Sequence, residues 1–332
     1  MLEVPLVVIT GIIIALIFDF GNGLNDAANA VSTVIATRVM SLRNAVIMSA
    51  LGNFIGAFIF GVAVATTVGK GLIVPSAVDS YVIIAGLIGA VFWVYLTTYF
   101  GLPISASHSL IGGYVGSAVI AAGFKAVIFS GVIKVVLFIF LAPLLGMAGG
   151  FFFQLIVLHL FKKSAPSNVN KYFKKLQILS ASVYSIGHGT NDAQKTMGII
   201  ALLLFSAGLL GKEFYVPFWV ILMSHAAIAF GTLAGGWKVI KTMGMRITKL
   251  HPVNGFCAET AGSAVVIGST IAGIPVSTTH VISGSIMGVG SIKRASAVRW
   301  TIARKIIWAW ILTIPVSAII GALSYAVIGV FV

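Results

Sequence analysis

The sequence predicts an all-α polytopic membrane protein of two inverted-topology repeats, each with a broken first helix and a re-entrant hairpin. Three observations carry this. First, the chain has 332 residues, 59% of them hydrophobic and 8% charged, and its mean hydropathy is +1.10. A water-soluble fold of this size would need a far more polar surface. Second, two polar motifs recur in the same order in the two halves. Third, the basic residues sort to one side of a membrane only if hairpins enter and turn back. Apolar stretches long enough to cross hydrocarbon recur along the whole chain, and no polar segment is long enough for a separate soluble domain.

The repeat is read from "GNGLNDA" at Gly21–Ala27 and "GHGTNDA" at Gly187–Ala193, which share Gly, Gly, Asn, Asp and Ala. A second pair is "PISASHSLIGGYVG" from Pro103 and "PVSTTHVISGSIMG" from Pro275. The same offset lays Pro143 on Pro315. These landmarks divide the chain into a first repeat, 1–161, a basic linker, 162–175, and a second repeat, 176–332.

Each half then reads alike. A first segment (about 4–37; about 178–207) is interrupted at the Asn-Asp motif, where flanking glycines permit unwound backbone. A second segment follows (about 44–69; about 214–236). Two stretches meet at the Pro-Ser motif (about 81–102 with 103–122; about 253–274 with 275–290). A long last segment (about 126–161; about 298–332) carries the proline. Residues 237–251, with four basic side chains, read as an interfacial segment meeting lipid headgroups. Spacings such as Gly112–Gly116 read as close helix packing, and glycine-rich outer faces leave room for a homodimer.

Lys and Arg accumulate in cytoplasmic loops. In the hairpin reading that side receives Arg38, Arg43, Lys162, Lys163, Lys171, Lys174, Lys175, Lys238, Lys241, Arg246, Lys249, Lys293, Arg294, Arg299, Arg304 and Lys305. The outside receives only Lys70, Lys125 and Lys212, with Lys134 and Lys195 inside spans. If both stretches at the Pro-Ser motif crossed fully, the cluster 293–305 would move outside. Each half therefore crosses an odd number of times, the halves insert oppositely, and both termini face outward. The start Met1-Leu2-Glu3 lacks a basic leader, so the first span is expected to be kept. The net charge of +14 reports topology; without a soluble module it does not point to nucleic acid. A single cysteine, Cys257, excludes an intrachain disulfide and a cysteine-built metal site.

An Asp at the centre of a membrane helix costs roughly 2.5–3.5 kcal/mol, so an intramembrane carboxylate marks function by default. Asp26 and Asp192 fall at equivalent positions, and Asn25 and Asn191 add amide oxygens: a pocket for a hard cation or a proton. The hairpin tips suit the opposite charge. Pro103 and Pro275 are expected to open the returning arms. Ser105 and Ser107, then Ser277, Thr278 and Thr279, stand in those first turns, where hydroxyls and free N–H groups favour an anion. Simple N-capping would use the same groups. Two facing tips would hold a tetrahedral oxyanion, which nearby carboxylates repel unless cations sit between. Anion and cation binding become mutually dependent, on the inverted-repeat plan of secondary transporters.

The strings "GLNDAANA", "GHGTNDAQKTMG", "GGWKVIKTMG" and "PVSTTH" together resemble the inorganic phosphate transporter (PiT) family over essentially the whole chain. The resemblance implies uptake of inorganic phosphate coupled to sodium, the favoured cation, or to protons. It places cations around Asn25, Asp26, Asn191 and Asp192, and phosphate at the Ser/Thr tips. Glu259 in "CAET" resembles a family acidic position; its repeat partner is Leu87, so any cation role for Glu259 breaks the symmetry. The family includes members assigned to sulfate. Lys195 is placed to pair with Asp192 or to attract phosphate, and Gln194 beside it is a further phosphate candidate, as are Asn25 and Asn191 alongside their cation role.

The remaining polar residues are read more plainly. His108 and His280 are expected to pack and hold the hairpins, and His188 to be a positional donor. His159, His225 and His251 receive no role. Asp19, opposite Ser185 in the repeat, is expected in an outer vestibule. Two other classes remain. An intramembrane hydrolase would use Ser107, His108 and Asp26, but adjacent side chains rarely reach triad geometry. A passive anion channel would want the tips without paired carboxylates.

Overall fold

The computed structural model describes residues 5–75, 78–292 and 294–331. Lys293 and the start Met1–Glu3, both used in the topology reading, lie outside them. Twelve α-helices form among the described residues. The first repeat holds α1 (Leu6–Ala36), α2 (Leu42–Ile55), α3 (Ala63–Lys70), α4 (Ser80–Phe100), α5 (Ala106–Ala122) and α6 (Phe129–Leu160). The second holds α7 (Pro166–Ser206), α8 (Phe218–Ala234), α9 (Trp237–Lys241), α10 (Pro252–Ile271), α11 (Thr278–Ser291) and α12 (Trp300–Ile328). Helices α1, α4, α6 and α12 are each long and apolar enough to cross a membrane. Their outward residues, such as Phe140 and Leu144 on α6 or Trp308 and Leu323 on α12, are exposed and apolar, as lipid contact requires.

The breaks fall elsewhere than expected. Both first helices run unbroken through the Asn-Asp motif. Its glycines serve close packing instead: a Cβ on Gly23 would lie 2.1 Å from the Ile228 carbonyl of α8, and one on Gly189 2.4 Å from Asn53 of α2. The second segment of each half is the broken one. The α2 segment meets α3 at 81°, and α8 meets the segment Trp237–Arg246 at 68°. The linker shrinks as well. Pro166, well suited to a first helical position, starts α7, so 166–175 form that helix's first turns, largely exposed except for the buried Phe173.

The hairpins are α4 with α5 and α10 with α11. Each turns through Gly101 or Gly273, with φ of 70° and 67°, a left-handed conformation that favours glycine. The prolines do not open the returning arms. Pro103 and Pro275 lie in the extended tip, and Ser105 and Ser277 take the N-cap, each accepting from the His N–H three residues on at 3.2 Å. Each tip is also tied to the broken segment of the other half. Thr67 donates to the Gly273 carbonyl at 2.8 Å, and Thr242 to the Gly101 carbonyl at 3.0 Å.

The last helix of each half packs on the other half's hairpin, α6 on α11 and α12 on α5. A Cβ on Gly116 would meet the Ala318 carbonyl at 2.1 Å, and one on Gly288 the Met147 carbonyl at 2.1 Å. Small residues allow this approach, which replaces hydrophobic attraction inside lipid.

Candidate functional site

On α1, Asp19, Asn22, Asp26, Asn29 and Thr33 are spaced by three and four residues, which puts them on one face. On α7, His188, Asp192 and Lys195 do the same. These two faces meet the hairpin tips, and none of Asp26, Asp192, Ser105, Ser107, Ser277, Thr278 or Thr279 is more than 3% exposed.

The second tip holds both acids: Thr279 donates to Asp26 Oδ1 at 2.8 Å and Thr278 to Asp192 Oδ2 at 3.0 Å. Asn29 donates in turn to both threonine hydroxyls, at 3.2 and 3.1 Å. His188 Nε2 stands 3.3 Å from Asp192 Oδ2 and 3.8 Å from Asp26 Oδ2. Its Nδ1 is 2.9 Å from Asn53 Oδ1. Asp26, His188 and Asp192 each offer one atom within 4.8 Å of the others'. His188 is therefore part of the centre, more than the positional donor expected.

Lys195 forms an ion pair with Asp192. Its Nζ also donates to Ser107 Oγ of the first tip at 2.5 Å and to the Val276 carbonyl of the second at 2.8 Å. The first tip thus reaches the acids through this ammonium. A buried carboxylate is tolerable when a cation with several hydrogen bonds compensates it. Asp192 has such a partner, whereas Asp26 has a hydroxyl and the imidazole.

Asn25 and Asn191 are anchored identically. Asn25 donates to Thr98 on α4 at 2.8 Å, and Asn191 to Thr270 on α10 at 2.8 Å. Their Oδ1 atoms, like that of Asn29, are buried and unpartnered, which leaves oxygen acceptors beside the acids. The first backbone N–H groups of α5 and α11 have no intrahelical acceptor. The centre therefore sets the hydroxyls and free N–H groups of two helix N-termini against a cluster of carboxylate and amide oxygens.

Gln194, Glu259 and Asp19 stand outside this cluster. Gln194 spends its amide on the break before α3: Oε1 accepts from Val64 and Ala65 at 2.8 and 3.2 Å, and Nε2 donates to the Gly61 carbonyl at 2.6 Å. A bend in the membrane exposes backbone groups that must find partners, and this side chain supplies them. Glu259 stands apart from the central acids. It accepts from Thr33 at 2.5 Å, from Gln177 at 3.1 Å and from Ser180. Asp19 is fully buried, so it lines no vestibule.

His108 and His280 pack edge to face at 4.8 Å, with His280 stacked on Trp310 at 3.9 Å; the hydrogen bonds expected along with this packing are not made, since His108 Nδ1 and both ring nitrogens of His280 are buried without a partner among the described residues. Ser107 is bonded to Lys195 and not to His108, so Ser107, His108 and Asp26 do not form a hydrolytic triad. Asn29 and His188 were missed as central residues. The three-and-four spacing on α1 was the signal for Asn29.

The pattern of the phosphate transporter family matches residues 22–321. A probable low-affinity inorganic phosphate transporter of Rhizobium meliloti is 51% identical, over 95% of this chain and 94% of that protein. One of Bacillus subtilis is 43% identical, over 96% of each. A solved structure described as the sodium-dependent phosphate transporter superposes with a TM-score of 0.88 at 26% identity, covering 98% of this chain and 100% of that one. With this pattern, these relatives and a duplicated helical fold carrying apolar spans, the chain is a multi-pass membrane protein that belongs to the phosphate transporter family.

Proposed function

We propose that this chain is a symporter that imports inorganic phosphate with sodium by alternating access. One observation carries the reading: the acids of both repeats converge where both hairpin tips meet, beside unpartnered amide oxygens. Sodium takes oxygen ligands from Asp26, Asn25 and Asn191, while Lys195 supplies the fixed positive charge at Asp192. Cation binding at the acids releases Thr278 and Thr279, whose hydroxyls now donate to carboxylates. Those hydroxyls then join Ser105, Ser107, Ser277, Lys195 and the helix N-termini around the phosphate. Glu259, with Thr33, Gln177 and Ser180, is a further cation station nearer the basic side. A cleft lined by Thr67, Lys70, Lys134 and the tip from Gly273 to Pro275 offers two cations to an arriving anion. That cleft faces outside, with both termini, and the basic loop around 162–175 faces the cytoplasm.

The sodium-dependent structural relative supports the choice of cation. Proton coupling is the second reading, favoured by the imidazole of His188 between the two acids. Proteoliposomes separate the readings. Labelled phosphate accumulates against its gradient when a sodium gradient is imposed, and accumulation stops when choline replaces sodium. Accumulation that persists in choline and follows a pH gradient selects protons. Uptake that only equilibrates rejects symport, and sulfate taken up in preference to phosphate rejects the anion.

A further inference from the structure

Asp19 is the one acid of the membrane interior with no bonded partner among the described residues. Both its carboxylate oxygens are buried and unpaired, as are Asn22 Oδ1 and Thr196 Oγ1. The Thr196 hydroxyl and the Asn22 side chain lie close enough to act on it, as do the charges of Asp192 and His188. Asn22 is one turn along α1 and Thr196 is next to Lys195 on α7, so the cluster spans the packed helices α1 and α7. An ionised carboxylate buried without a partner is prohibitively costly. Every other acid in the spans has one: Asp26 has Thr279, Asp192 has Lys195, and Glu259 has three donors.

We infer that Asp19, Asn22 and Thr196 form a further sodium site, distinct from the central acids and from Glu259, a station on the route to the central acids. This rests on the symporter reading above. The four unpaired atoms are all oxygens, from a carboxylate, an amide and a hydroxyl, the donor set of a hard cation. They come from two helices, so an ion there also bridges the repeats. Asp19 precedes Asp26 by seven residues on one helix face, a rise of roughly 10 Å, which makes a single step between stations. The second repeat has no counterpart. Ser185 takes the equivalent place, and its hydroxyl is satisfied by the Ala181 carbonyl at 2.8 Å. The site is one-sided and adds one cation to the transport cycle.

The test uses the full chain in two ways: equilibrium binding of radioactive sodium to detergent-purified protein without phosphate, and sodium-activated phosphate uptake in proteoliposomes. Asp19→Ser, which installs the other repeat's residue, is expected to remove one bound sodium ion and to lower the sodium Hill coefficient. Unchanged binding stoichiometry and unchanged sodium activation overturn the site and make Asp19 a buried neutral acid. If Asp19→Ser does not yield folded protein, Asp19→Glu keeps the charge and moves it by one methylene. A changed preference between sodium and lithium is then expected, and an unchanged one overturns the site. If the natural chain shows no sodium-driven accumulation, the symport reading falls, and the binding measurement still decides the site.

Discussion

The two repeats agree in what holds the hairpins and disagree in what carries charge. Asn25–Thr98 matches Asn191–Thr270, the Ser105 cap matches that of Ser277, and the Thr67 tie matches that of Thr242. The glycine contacts repeat too. Along the polar face, however, Asn22 and Asn29 of the first repeat stand opposite His188 and Lys195 of the second. Asp19 stands opposite Ser185, and Glu259 opposite Leu87. Duplication supplies a frame that two orientations can share. Transport in one net direction, with a defined number of ions, needs no such symmetry in the charges, and there the halves have diverged.

The sharpest way to break this comparison is to neutralise the two equivalent acids. Asp26→Asn and Asp192→Asn are each expected to reduce concentrative phosphate uptake to the background of empty liposomes. Their stabilities should differ. Asp192→Asn strands the buried Lys195 ammonium, and breaking a buried pair costs about 3–5 kcal/mol. Asp26→Asn strands no full charge and should unfold at a temperature well above that of Asp192→Asn. Equal melting temperatures in detergent would mean that the ion pair has no such weight.

A smaller effect tests Lys195 directly. Lys195→Asn gives the second repeat the residue of the first. It should lower stability, because Asp192 loses its counter-charge, and sodium should restore part of the loss. The expected readout is a larger sodium-induced rise in melting temperature than in the natural chain. A rise no larger than that chain's would show that the ammonium does not stand where a mobile cation can.

Much of this frame was legible. The paired motifs located the acids, the amides and the hairpin tips, because duplication repeats polar residues that hydrocarbon would otherwise exclude. The bends at Gly56–Val62 and Gly235–Gly236 were not legible, since a glycine between apolar runs reads equally as packing, and at Gly23 and Gly189 it is packing. The tasks of Gln194 and Glu259 were hidden for another reason. Their partners, Val64 and Ala65 in one case and Thr33, Gln177 and Ser180 in the other, are remote in sequence, and only the folded chain brings them together.

The smallest expected effect falls on the shared ties. Thr67→Val and Thr242→Val each remove a hydroxyl that shares its proton between the opposite tip and a carbonyl of its own helix, and the loss of the tie across is worth about 1 kcal/mol. If the halves are mechanically alike, the two substitutions should change phosphate uptake by similar factors, up to roughly fivefold each. A large effect from one alone, measured as initial rates, would show that one tip governs the slow step.

The exchange of partners between last helices and hairpins bears on how the chain is made. The glycine face of α5 is synthesised early, yet the surface it fits belongs to α12, which is made about 180 residues later. Gly112 and Gly116 are therefore made before Ile314 and Ala318, whose backbone they fit. The first repeat is completed by the second, so neither half is a unit that matures alone.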